Sequence, residues 1–336
     1  MKNSILYIFN ITLIATVFGV SLVVFPQGGG MYDMRGIPAP YNFYHYQKLR
    51  TGERLGVGGG GDFGYLPNTS EGEYRNKVAN VDLNGIYFVN PTEGWVIGTG
   101  GSIYHTEDRG RTWIKQKSNV KSELLAISCV GDSRCWITGE DGVILTTKNG
   151  RDWTRIGSGV KTSLTAVDFL NEKVGLVVGS DALILRTENG GISWQKQSIV
   201  GGEQSCNGHM FSGGSSDLYG VTILDVETAW IAGFFGIARY VGNTGVWEGI
   251  CINEVGPLIG IVSHDGKTIF AIGSGGQNVV STDSGRTWKL SHAAPSKYLQ
   301  SGSGYCERRE AERWRPGTRR TLRASMSISI TGTQAA

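Results

Sequence analysis

The chain has 336 residues, 40% of them hydrophobic and 18% charged, which fits a folded protein and excludes a disordered one. Its net charge of +3 is too small to point to a nucleic-acid partner. Fifty-one glycines lie beside nine tryptophans and thirteen tyrosines without a collagen period, so they imply many tight turns between short strands.

In chain order, residues 4–25 ("SILYIFNITLIATVFGVSLVVF") form an apolar run long enough to cross a bilayer. A signal peptide or a retained membrane anchor is expected there, which sends the rest of the chain out of the cytoplasm. Residues 37–47 ("IPAPYNFYHYQ") bring Tyr41, Phe43, Tyr44 and Tyr46 together. They read as an edge strand or as rings for stacking on sugars. Residues 41–77 read as a degenerate copy of the unit that follows, or as a Gly-rich linker.

From Leu83 a unit of about forty residues repeats. Its copies begin at Leu83, Leu124, Leu164, Leu218 and Leu258, which are 41, 40, 54 and 40 residues apart. The long interval carries an insertion at 201–217. Each copy reads as four short strands: Leu-x-Gly/Ala-Ile/Val, a second strand such as "WVIG" with Trp95, Trp136 or Trp230, a third such as "SIYHT", and a fourth after Trp113 or its equivalent. Apolar residues alternate and no stretch has helical periodicity. The expected fold is an all-β propeller with five clear blades over 83–290, a propeller domain over 31–300, and seven blades in all if the degenerate ends are counted. Residues 301–336 are an Arg-rich diverged blade or tail, with seven arginines in 307–323.

Between the third and fourth strands sits Ser/Thr-x-Asp-x-Gly-x-Thr-Trp. It is matched by Thr106, Asp108, Gly110, Thr112 and Trp113, and by Ser281, Asp283, Gly285, Thr287 and Trp288. Thr187, Asn189, Gly191 and Trp194 match with Asn for Asp. In "TTKNGRDW" at 146–153, which keeps Gly150 and Trp153, Lys148 is aligned with the aspartate. Asp, Asn, Ser and Thr side chains accept turn N–H bonds, glycine permits positive φ, and the indole packs on a neighbour. Several copies of one group fit a structural device better than a catalytic set of unlike groups. No catalytic, cofactor or metal residues are expected: "HDGKT" at 264–268 lacks the phosphate-loop glycine, and Cys and His lack zinc spacing. Candidate disulfides are Cys129–Cys135, at facing strand ends, and Cys206–Cys251.

The motif is the Asp-box, or BNR repeat, and the unit beginning at Leu83 resembles the photosystem II assembly and stability factor family. The resemblance covers about 83–290. It implies a monomeric, non-enzymatic scaffold without cofactor, placed in a periplasm, a thylakoid lumen or outside the cell. It also implies a protein partner that is a membrane protein or its precursor, met through a basic patch. Arg109, Arg111, Arg134, Arg151, Arg155 and Arg186 fall in or beside turns that suit such a patch. The alternatives are a sialidase-like glycoside hydrolase, grazed only by "MRGIP" at 34–38, and a carbohydrate-binding or adhesion module.

Overall fold

The computed structural model describes residues 43–291 apart from 50, 68–71, 201–216, 235, 243, 251, 253–256, 264–265 and 274–277. The leader at 1–25, "MRGIP", the Cys206–Cys251 pair and the Arg-rich segment at 301–336 lie outside the described residues. The chain divides into two compact units, 1–305 and 306–336, and the second is wholly outside them. No helix among the described residues is long and apolar enough to cross a membrane.

The described residues form six antiparallel sheets. Sheet I holds β1 (Phe43–Lys48), β2 (Arg54–Gly58), β3 (Asp62–Leu66) and β4 (Tyr74–Lys77). Sheet II holds β5 (Leu83–Phe88), β6 (Gly94–Gly98), β7 (Ser102–Thr106) and β8 (Ile114–Gln116). Sheet III holds β9 (Leu124–Val130), β10 (Arg134–Gly139), β11 (Ile144–Thr147) and β12 (Thr154–Ile156). Sheet IV holds β13 (Leu164–Phe169), β14 (Gly175–Gly179), β15 (Ile184–Thr187) and β16 (Gln195–Gln197). Sheet V holds β18 (Leu218–Ile223), β19 (Thr228–Gly233), β20 (Gly236–Val241) and β21 (Val246–Ile250), with β17 (Ile199–Val200) added in parallel beside β21. Sheet VI holds β22 (Leu258–Ser263), β23 (Ile269–Gly273), β24 (Asn278–Ser281) and β25 (Lys289–Ser291). Each is a meander, and the first strand of each packs on the first strand of the next. This is the architecture of propeller blades.

Burial along the strands explains the sequence pattern. Second strands such as β6 ("GWVIG") and β14 ("GLVVG") are buried throughout, because a blade in the stack has a neighbour on both faces. They therefore read as continuous apolar runs rather than as alternation. Fourth strands such as β8 ("IKQ") and β16 ("QKQ") are largely exposed, and a lysine on that free edge discourages pairing with another chain. The apolar cores lie between sheets. Leu55, Phe63 and Tyr65 of sheet I meet Ile86, Phe88 and Val96 of sheet II. Trp95 and Ile103 of sheet II meet Ile127, Ile137 and Leu145 of sheet III. Corresponding clusters join III to IV, IV to V and V to VI.

The glycine ending each second strand has a packing reason. A Cβ on Gly98 would stand 2.0 Å from the carbonyl oxygen of Asp82, and one on Gly139 would stand 2.2 Å from that of Glu123. This close approach lets Thr99 N–H donate to the Asp82 carbonyl and Glu140 N–H donate to the Glu123 carbonyl. The segment entering each blade is thereby tied to the blade's second turn.

Cys129 and Cys135 are register partners across β9 and β10 and form a disulfide with Cα atoms 4.0 Å apart. The loop it closes is short, so its removal is expected to cost about 2 kcal/mol, mainly through the entropy of the unfolded chain. Urea unfolding of the C129A/C135A variant against the oxidised chain measures this. Equal midpoints would show that the bridge contributes nothing.

Candidate partner-binding face

In sheet II the Asp-box turn is built from its own side chains. Thr106 Oγ1 donates to Asp108 Oδ1 at 2.8 Å and accepts from Gly110 N at 2.9 Å. Asp108 also accepts from Thr112 N at 2.8 Å and Thr112 Oγ1 at 2.6 Å. Sheet VI repeats the pattern, with Ser281, Asp283, Gly285 and Thr287 in the same roles. In sheet IV, Asn189 takes the aspartate's place between Thr187 and Ser193. Partial burial works against the Asp108 charge, but bonds from Thr112, Thr106 and the Arg111 N–H outweigh it and hold the carboxyl below its usual range. The Thr287 hydroxyl and N–H, then the Ser281 hydroxyl, do the same for Asp283.

Sheet III corrects the sequence alignment. Lys148 does not replace the aspartate. Thr147, the last residue of β11, occupies the place of Thr106, and its hydroxyl donates to Asn149 Oδ1 at 3.1 Å. Asn149 Oδ1 then accepts from Arg151 N and Asp152 N. The turn is one residue shorter than the others, so matching from Trp153 backwards put every earlier residue one place out.

The third residue after the Ser or Thr has positive φ in all four turns: Arg109 (68°), Gly150 (69°), Gly190 (74°) and Ser284 (61°). This turns its carbonyl toward the preceding sheet. The Gly150 carbonyl accepts from Trp95 Nε1 of sheet II at 2.9 Å, and the Gly190 carbonyl accepts from Trp136 Nε1 of sheet III at 3.1 Å. The Arg109 carbonyl accepts from the Tyr74 hydroxyl of sheet I. In sheets II, III and IV the motif therefore closes the seam with the preceding blade. Its own indole supports the same seam: Trp113 packs edge-on against Phe63 of sheet I, and Trp153 Nε1 donates to Gln116 of sheet II.

The strand 1–2 and strand 3–4 turns share one end of each sheet, and Arg109 N, Gly190 N and Ser284 N donate to carbonyls of Thr92, Lys173 and Lys267 in the neighbouring turns. This end is the candidate face. Two of the six arginines expected on it serve other purposes. Arg186 is buried, lies 4.7 Å from the Tyr240 ring and donates to the Val226 carbonyl of the next sheet. It is not available to a partner, because packing against sheet V covers it. Arg134 lies 4.5 Å from the Trp136 ring and donates to the carbonyls of Thr147 and Gly190. Arg111, Arg151 and Arg155 are exposed and Arg109 is half-buried, all on sheets II and III. Arg151 pairs with Glu107 at 3.2 Å.

Among the described residues, the group that could share a cation is Glu93, His105 and Glu107, whose ligand atoms lie within 4.8 Å of one another. His105 is stacked on Trp95 and its Nε2 lies 3.2 Å from Glu93.

Sequence reasoning missed a row of polar side chains at the fifth position of the first strands. The Gln47 amide imitates a peptide: its Nε2 donates to the Phe88 carbonyl and its Oε1 accepts from Phe88 N. Tyr87 donates to the Cys129 carbonyl, and Ser128 Oγ accepts from Phe169 N. Asp168 Oδ2 accepts from Ile223 N at 2.8 Å. Burial pushes the Asp168 carboxyl up to about 6, against the bonds from Ile223, Phe169 and Ser128. The available signal was one polar residue recurring at a fixed place in otherwise apolar strands.

Two predictions follow from this geometry. Gly150 has φ of 69°, and a Cβ there would lie 2.7 Å from Trp95 Cζ2. Gly159 has φ of 77° with nothing within 4 Å. G159A should cost only backbone strain, about 1 kcal/mol, and G150A should cost at least about 2 kcal/mol more through the displaced indole. Chemical denaturation of the pair isolates the seam; equal costs would refute it. Asp168 is more basic folded than unfolded, so the folded state binds its proton more tightly. Its favourable contribution is complete below the unfolded value of 3.8 and is lost as pH rises through about 6. D168N should flatten that limb of the stability profile, worth about 3 kcal/mol at most. An unchanged slope between those pH values would exclude the assignment.

A sequence model of the family described as photosynthesis system II assembly factor YCF48 matches residues 67–163. The chloroplastic photosystem II stability/assembly factor HCF136 of Oryza sativa subsp. japonica is 33% identical over 124 residues, covering 35% of this chain and 28% of that protein. The photosystem II assembly protein Ycf48 of Synechococcus sp. (strain JA-3-3Ab) is 37% identical over 65 residues, 19% of each chain. The matched part thus spans less than a third of either relative. Among solved structures, the C-terminal WD40 domain of Sif2 superposes with a TM-score of 0.53 at 13% identity, covering 72% of this chain and 69% of that one. An ancestral GH74 enzyme gives 0.51 at 13% identity over 65% and 32%. At such identities these two speak for the fold alone. The segment bearing the first two Asp-box turns is therefore similar, over residues 67–163, to the photosystem II assembly and stability factor-like family of Asp-box repeats.

Proposed function

We propose that the chain is a non-enzymatic scaffold that holds a membrane protein, or its precursor, during assembly of a complex such as photosystem II. The observation that carries the reading is the kinship of residues 67–163 with assembly factors, in a segment whose Asp-box Thr, Asp and Asn side chains are engaged in holding their own turns. Side chains spent on holding turns together are not available to form or break bonds in a substrate.

The scaffold works outside the cytoplasm. The apolar run at 4–25 supports this as a signal peptide or anchor, and the Cys129–Cys135 disulfide supports an oxidising compartment. Partner contact is assigned to the turn face of sheets II and III, where Arg109, Arg111 and Arg151 lie on adjacent blades, together with Arg155 on the exposed edge strand β12. Guanidinium groups there can take carboxylates or backbone carbonyls of an extended segment in bidentate fashion.

The test is affinity capture from detergent-solubilised host membranes. The chain should retain a membrane protein, and R109E/R111E/R151E/R155E should lose it while keeping the same unfolding midpoint. Recovery of no membrane protein by the unaltered chain would overturn the reading. Undiminished capture by the variant would overturn the assignment to this face.

A further inference from the structure

In the seam between sheets V and VI the aromatic donor is present but the bond made at the II–III and III–IV seams is missing. By position, Trp230 of β19 corresponds to Trp95 and Trp136, and Ser284 corresponds to Gly150 and Gly190. The equivalent bond is not made: Trp230 is 1% exposed, and its Nε1 is a buried donor without an acceptor. Trp230 is instead pressed beneath Gly285, where an added Cβ would stand 2.1 Å from its Cη2. A cleft of about 470 Å³ opens at this point on the turn face, with Trp230, Arg239, Tyr240 and Ser284 among its walls. Arg239 adds a second buried donor without an acceptor, its Nε, while its guanidinium lies 5.9 Å from the Trp230 ring and pairs with Glu248 at 3.1 Å. Asp225 and Glu227, both exposed, stand at the rim.

A buried N–H without a partner costs about 1–3 kcal/mol. At the sister seams that cost is removed by a peptide carbonyl. We infer that this cleft binds a short peptide segment of a partner, whose backbone carbonyl reaches the Trp230 indole N–H and whose neighbouring lysine or arginine meets Asp225 and Glu227. The carbonyl would reproduce from outside the bond that Gly150 and Gly190 supply from within. The volume suits a short stretch of chain. A carboxylate is disfavoured because Arg239 is already paired and the rim is acidic. The inference rests on the reading of the chain as a protein-binding scaffold and adds a second contact point on the same face.

The test uses the full chain labelled with 15N at tryptophan, with the Trp230 indole signal assigned through W230F. The probes are the blocked tripeptides acetyl-Gly-Lys-Gly-amide and acetyl-Gly-Glu-Gly-amide. The Trp230 indole signal should shift saturably while those of Trp95 and Trp136 stay in place. The lysine peptide should bind roughly tenfold more tightly than the glutamate peptide, and D225N/E227Q should abolish that preference while binding persists. No saturable shift up to about 10 mM peptide, or equal shifts at all three indoles, would overturn the site. Equal affinity for the two peptides would overturn the cationic specificity. If W230F and the unaltered chain capture the same membrane protein equally well, the scaffold reading stands and the cleft's part in it falls.

Discussion

The structure depends on one recurrent hydrogen bond, from a buried aromatic donor on one blade to a turned-out peptide carbonyl on the next. No single core spans the six sheets. Apolar surface is buried only in the seams, so each blade is stable to the extent that its neighbours cover it. Apolar packing is non-directional and would tolerate sliding of one flat sheet over another. The Trp95–Gly150 and Trp136–Gly190 bonds fix the register, because an indole N–H within a seam has few other acceptors in reach.

That bond explains the chemistry of the Asp-box. For the carbonyl to face backwards, its residue must take positive φ, which is strained for most side chains. The carboxylate or amide at the turn's centre secures that conformation by gathering the turn's N–H groups. The adjoining hydroxyl holds the carboxylate in turn. Asp108 and Asp283 are thus acidic for a mechanical reason: the bonds that hold their charge are the bonds that hold the turn. Perturbed carboxylates often mark catalysis, but here the perturbing groups are the turn's own hydroxyls and amides.

Much of the fold was legible because the repeat is strict where the seams need it. Leu83, Leu124, Leu164, Leu218 and Leu258 head first strands, and the second-strand tryptophans are fully buried. Sheet I lacks an Asp-box of its own. It forms the same four-stranded meander because Tyr74, Phe63 and Gln47 supply its side of the seam with sheet II. The shorter turn at 147–153 was misaligned because a regular expression counts residues, whereas the turn requires only that an oxygen reach the N–H groups ahead of it. Arg134 and Arg186 were misjudged for a related reason. An arginine beside a turn reads as solvated until a neighbouring blade from 40 or more residues away is seen to cover it.

The sequence by itself determined the class of fold, the length of the unit and the place of every Asp-box turn but the shortened one. These are set by local backbone preferences and by the periodicity of burial, both of which are written in consecutive residues. Tertiary structure decided what those turns hold, which arginines face outward, that Asp168 accepts from the Ile223 N–H, and that Trp230 lacks the acceptor its counterparts have. Each of these turns on which atoms of one blade lie against the next. That relation is fixed by the packing of whole sheets rather than by neighbours in the chain.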